Sequence, residues 1–250
     1  MGRGDAAVQV RGLIVEKAFA NVERDLFARF CIIPVNRMSE FTELQAGSAV
    51  RGLRLGIFAG FVACLSYPLA AFVPLPMRAT AAIAACFGPA LALACFGLKG
   101  LLDVEKRTIS SALGLLLNAL AGALFSAMAL VQIAVGSLVK DGKVLLTMNG
   151  IWLGLDKAFD AYIGLGTIFM AIAMWRHPRF GRAIAISGMT IAAGLLALNF
   201  YTFPALPANA GLFDPGPVIG LWYLVVTIQM VRSLAWAKRR SSAVDTEPPS

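Results

Sequence analysis

Six apolar runs, each about the length that crosses a hydrocarbon core of roughly 30 Å, decide what this chain can fold into. They fall at about 52–73, 78–98, 109–139, 150–175, 183–203 and 218–236. Within each run the apolar residues are continuous rather than alternating, which excludes a membrane β-barrel. Only 14% of the residues are charged, against roughly 25% in soluble domains. The expected fold is all-α: a polytopic membrane protein, a six-transmembrane-helix bundle.

Ahead of the first run, Val15, Phe19, Val22, Leu26, Phe30 and Ile33 recur at helical spacing. Glu16, Lys17, Glu23, Arg24, Asp25 and Arg29 occupy the other faces. That pattern predicts an amphipathic helix, too charged to span, lying on the membrane surface or docked under the bundle, and ended or kinked by Pro34. No signal peptide is expected. The organisation read from the sequence is a cytoplasmic N-terminal segment over 1–51, a membrane domain over 52–236 and a disordered cytoplasmic tail over 237–250.

The net charge of +8 has a topological cause. Eight Lys and Arg precede the first run through Arg54, and further clusters follow the second run (Lys99, Lys106, Arg107), the fourth (Arg176, Arg179, Arg182) and the sixth (Arg232, Lys238, Arg239, Arg240). The alternate connections hold only Arg78, Lys140 and Lys143. Cytoplasmic loops of membrane proteins are enriched in Lys and Arg, so both termini are expected in the cytoplasm of a bacterial inner membrane. Trp175 and Trp236 at inner ends and Trp152 and Trp222 at outer ends suit interfacial belts. Arg176, Arg179 and Arg182 are expected to face anionic lipid headgroups. No basic patch is interleaved with aromatics, so nucleic acid is not expected as a partner. The chain has one histidine, His177, and no CxxC pair among Cys31, Cys64, Cys86 and Cys95. It offers no bis-histidine haem site and no His-rich metal set, and no cofactor is expected.

Local signals fill in the frame. Gly52, Gly56 and Gly60 stand four apart and bare one face of the first span, for packing inside the bundle or against a partner helix. Pro68 and Pro89 should kink their spans. Asp103 could meet Lys106 and Arg107 across a helical turn. "KDGK" (140–143) reads as a turn, Asn149 as an N-cap, and Asp214-Pro215 as an N-cap followed by proline at the first helical position.

The fourth run, "WLGLDKAFDAYIGLG" (152–166), holds Asp156, Lys157 and Asp160. The two carboxylates are four apart and share a face with Gly164, Thr167 and Ala171. Phe159, Ile163, Phe169 and Met170 are then expected to face lipid. A charge facing lipid costs roughly 2.5–3.5 kcal/mol even on lenient scales, so the carboxylate face should point inward. Lys157 can reach Asp160 across one turn, giving an expected ion pair. Gln132, Asn199 and Tyr67 fall at similar depth, which predicts an outward-opening polar pocket between the first, third, fourth and fifth spans. Asn118 and Gln229 lie deeper and could extend it. The competing explanation is that these groups only join helices. No nucleophile–base pair, intramembrane aspartyl-protease motif, P-loop or dinucleotide fingerprint is present, so no catalytic residues are assigned and an enzyme is the weaker expectation. Three classes stand: transport of a small solute or cation, with or without proton coupling; a non-enzymatic accessory, assembly or sensory subunit of a membrane complex; and, weakest, a lipid-modifying enzyme.

Overall fold

The computed structural model of the chain describes residues 35–138 and 142–244. Six helices follow one another: α1 (Val35–Phe72), α2 (Met77–Asp103), α3 (Ile109–Leu138), α4 (Gly142–Met174), α5 (Gly181–Thr202) and α6 (Gly216–Val244). Each is long and apolar enough to cross a membrane. A short 3-10 turn, Ala208–Ala210, interrupts the α5–α6 connection. The bundle of six spanning helices is therefore the fold. The amphipathic surface helix over 15–33 lies outside the described residues. The chain divides into two compact units, up to Gln45 and from Ala46 onward; all six spans belong to the second.

Consecutive helices alternate in direction, so the bundle has two ends. The terminal face holds the start of the first span, the α2–α3 and α4–α5 connections and the end of α6. The far face holds the other three connections. Helices α2 to α5 pack in sequence order. Helix α6 meets all five others. It touches α1 at Gly60–Thr227, α3 and α4 through the Tyr223 hydroxyl, and α5 where the Trp222 indole donates to the Ile184 carbonyl at 3.0 Å. It also packs on α2. Its inward stripe of Ile219, Trp222, Tyr223, Val226, Met230 and Ser233 is buried at helical spacing.

Small residues bring α1 against its neighbours. A Cβ on Gly56 would stand 2.6 Å from the Gly97 Cα, and one on Gly60 would stand 2.6 Å from the Thr227 hydroxyl. Gly52 lies beside the Phe96 ring. The small-residue face of α1 is thus occupied by α2 and α6. Packing inside the bundle is one of the two uses its spacing allowed.

Several boundaries differ from the sequence expectation. Asn149 lies inside α4 rather than at its start, because that helix already begins at Gly142; an apolar stretch can extend a helix past a capping residue when it packs. Lys140 and Asp141 of the "KDGK" turn fall outside the described residues, and Gly142 and Lys143 already belong to α4. Helix α6 runs on to Val244 rather than ending near Trp236. Ala237 is buried there and Arg240 reaches Glu105 at 3.7 Å, so packing supports the extra turns. Asp103 pairs with Lys99 and accepts the Ser111 hydroxyl at 3.0 Å instead of meeting Lys106 or Arg107. The reason is that α2 stops at Asp103 and the following residues leave the helix. Asp214 behaves as expected: its Oδ1 accepts the Gly216 N–H at 2.9 Å.

Candidate binding site in the far half of the bundle

Helix α4 lies between α3 and α5, and that position decides which of its residues face inward. Its exposed stripe is Ile151, Tyr162, Leu165 and Ile172. Phe159, Ile163 and Met170 do not face lipid as expected. Ile163 and Met170 are buried, and the Phe159 ring packs on Phe125 of α3 at 5.2 Å. A helix flanked on two sides buries two faces, so an apolar face opposite a polar one need not meet lipid. The carboxylate face does point inward: Asp160, Thr167 and Ala171 are all buried.

The site forms where this face meets the last turn of α5. The Lys157 ammonium donates to Oδ1 of Asn199. The Asn199 amide nitrogen donates to the Leu195 carbonyl at 3.0 Å, which fixes the orientation of its oxygen toward Lys157. Asp160, 8% exposed, lies within hydrogen-bonding reach of the same amide. Lys157 therefore does not form the expected ion pair with Asp160. It is drawn across to α5, because an oriented, buried amide oxygen offers a well-placed acceptor. Asp156 is half-buried one turn from Asp160. The α5–α6 connection adds a third carboxylate, Asp214, whose charge is felt by both aspartates. One turn above Asp156, the Trp152 indole nitrogen is buried without a hydrogen-bond partner among the described residues.

The chain matches no family model, no curated protein and no solved structure. The site is read from its own residues.

Not every residue expected here is gathered. Tyr67 is half-exposed on α1, edge-on to Phe125 at 6.3 Å, and Gln132 is exposed on α3. Neither shares a hydrogen bond with the carboxylates among the described residues. The sequence did not point to Asp214 as part of the site, because a capping role already explained it.

Deeper in the bundle sits a separate buried network. Asn118, with 0% exposure, accepts the Tyr223 hydroxyl on Oδ1 at 2.6 Å. Its Nδ2 donates to the Gly114 carbonyl at 2.8 Å. Tyr223 and Thr167 share a hydrogen bond at 3.1 Å. This joins α3, α4 and α6. Toward the terminal face the core closes with Leu98, Leu101, Met170, Met174 and Met230, all essentially inaccessible. Gln229, next to Met230 on α6, donates to the Arg179 carbonyl.

Of the three arginines expected at lipid headgroups, Arg176 and Arg182 are exposed. Arg179 is bound within the protein: its guanidinium donates to the Arg232 carbonyl at 3.0 Å and to the Ser233 hydroxyl at 3.4 Å. A short basic loop folded against α6 has carbonyls for its central arginine to bind.

Proposed function

We propose that this chain is a membrane transport protein that accepts a small cation from the far side at Asp156, Asp160 and Asp214. The observation that carries this is Asp160. It is a nearly buried carboxylate in a membrane helix, without an ion pair among the described residues, while the neighbouring ammonium is bound to neutral Asn199. A carboxylate in that setting is expensive to keep ionised, and we read it as a place where a cation is received. Among the described residues no group of three His, Cys, Asp or Glu is arranged for a metal ion. The site therefore suits a proton, a monovalent ion or an organic ammonium. Trp152, one helical turn from Asp156, supplies an aromatic ring on that side of the helix, and cations bind aromatic faces, which favours the last. The distribution of Lys and Arg supports a cytoplasmic terminal face, in a bacterial inner membrane. Arg176 and Arg182 are then the residues offered to anionic headgroups.

The test is flux into proteoliposomes under an imposed proton gradient, with sodium and methylammonium as probes. Uptake that is lost in Asp160→Asn, with folding intact, is the expected result. Equal uptake by the variant would end the proposal.

A second reading has its own observation. Leu98, Leu101, Met170, Met174 and Met230 fill the core toward the terminal face with inaccessible apolar side chains. That favours a sensory or accessory subunit that binds a cation without moving it. Saturable binding of methylammonium with no flux would select it.

A further inference from the structure

The α4–α5 connection folds around the only histidine in the chain. His177 is 6% exposed. Its backbone N–H donates to the Met174 carbonyl at 3.0 Å, and its carbonyl accepts from Phe180 at 3.3 Å and Gly181 at 3.2 Å. Gly181, at φ 73°, takes the left-handed conformation that starts α5 from this turn. The ring is held edge-on by Trp236 at 5.5 Å and packs on Phe180 at 5.3 Å. Its Nδ1 accepts the backbone N–H of Arg179 at 3.3 Å. A nitrogen that accepts carries no proton, so the neutral ring bears its hydrogen on Nε2. That nitrogen is buried toward the Leu101 carbonyl but makes no hydrogen bond of normal geometry among the described residues.

The residue that His177 orients is the one that clasps α6. Arg179 holds the Arg232 carbonyl and the Ser233 hydroxyl with its side chain, and its own carbonyl receives the Gln229 amide. Ser233 closes the loop by donating to the Gln229 carbonyl at 2.7 Å. The α4–α5 turn and α6 are thus joined through one residue whose backbone N–H is fixed by the histidine ring.

We infer that His177 is an acid-released latch on the terminal face: the neutral ring holds Arg179 on α6, and protonation opens that clasp.

The second proton can go only on Nδ1, where the Arg179 N–H already points. Two donors would then face each other, and the hydrogen bond cannot survive. The surroundings do not welcome the cation either. From the α2–α3 connection the ring feels Glu105, and from its own turn Arg179. Helix α6 presents Trp236, over which the Arg240 guanidinium lies at 5.9 Å, and Arg240 shares Glu105 at 3.7 Å. Burial holds the imidazole below its ordinary pKa, against the raising effects of the Leu101 carbonyl and Glu105. The sign follows from linkage. Above the ordinary value of about 6.5 the ring is neutral whether the latch is closed or open, and closure is at full strength. As pH falls below that value the open form takes the proton first, and closure weakens until the closed-state pKa is passed.

Because there is one histidine, its ring can be followed directly. The full chain in lipid nanodiscs, with labelled histidine, would be titrated by NMR from about pH 8 to about pH 5, across the ordinary imidazole range. Amide exchange of residues 175–181 and 229–237 would be measured in parallel and corrected for the intrinsic pH dependence. The expected result is an Nε2–H tautomer at high pH. Exchange should then accelerate on the order of tenfold per pH unit as the ring titrates. In His177→Asn the side-chain oxygen can accept the Arg179 N–H without titrating, and protection should persist at low pH. An Nδ1–H tautomer, a ring that titrates with no change in exchange, or the same pH dependence in His177→Asn would each overturn the latch. If that variant does not fold, the coupling of ring titration to exchange in the unaltered chain decides.

Discussion

Lys157 spends its charge on a neutral amide, and this sets what substitutions at the site should do. Asn199→Leu removes the acceptor and deprives the ammonium of that hydrogen bond. A loss of about 1.5–3 kcal/mol is expected, as for hydrogen bonds to charged groups. Adding Lys157→Met should restore part of it, because the ammonium then no longer needs an acceptor, while Asp160 still lacks the Asn199 amide. Thermal unfolding in bicelles would read both; no recovery in the double variant would mean that Lys157 has another partner. Tyr223→Phe deprives Asn118 Oδ1 and Thr167 of the shared hydroxyl, and a loss of about 1 kcal/mol is expected, within the range for interhelical hydrogen bonds in membranes. These two clusters were unequally legible in the sequence. Asp156, Lys157 and Asp160 stand out because charge in an apolar run is costly and rare. Tyr223 does not, since a phenol is ordinary in a membrane helix and its partners Asn118 and Thr167 lie 105 and 56 residues away. The wrong partner for Lys157 came from the same limit. Helical spacing measures reach within α4 but says nothing of what α5 places opposite.

Helix α2 carries Pro89 in its interior and remains continuous from Met77 to Asp103. Ser126 of α3 explains how the strained turn is satisfied: its hydroxyl accepts the Gly88 N–H at 3.0 Å and donates to the Ala84 carbonyl at 2.8 Å. A side chain from the next helix thus stands in the backbone ladder beside the proline, one of the recognised settings for a helix bend. Ser126→Ala should expose that gap and cost about 1–3 kcal/mol, the penalty for unsatisfied buried backbone groups. Ser126→Thr, which keeps the hydroxyl, is the control, and equal loss in both would mean that crowding rather than hydrogen bonding is responsible. At Gly97 the limit is backbone contact, since an added Cβ would lie 2.6 Å from the Gly56 Cα. Gly97→Leu should therefore separate α1 from α2, with loss of the folded monomer on size exclusion in mild detergent. The spans themselves were plain from hydropathy, because apolar length is a local property. Their ends were not. Asn149 and Asp103 show that whether a turn continues depends on what packs against it, which composition does not record.

For the whole molecule, alternating direction and the Lys and Arg pattern together give a test of orientation. A reporter active only outside the cytoplasm should be active when fused after Gly211 and silent after Arg179; the reverse would invert the assignment. The helices are also unequal. Lys157 lies fifteen residues into α4 while its partner Asn199 is three residues from the end of α5. At about 1.5 Å per residue, α4 thus runs on for roughly 20 Å past the level of the site on the far side, whereas α5 ends within about 5 Å of it. The far side of the bundle is lopsided, with α4 forming a tall wall and α5 with its connection forming a low sill. That sill carries the exposed rings of Phe200, Tyr201, Phe203 and Phe213, and aromatic side chains settle at headgroup level. A solute arriving over it would come sideways out of the lipid headgroup layer rather than straight down from bulk water, so amphiphilic amines should reach the carboxylates ahead of equally charged but fully hydrated ions.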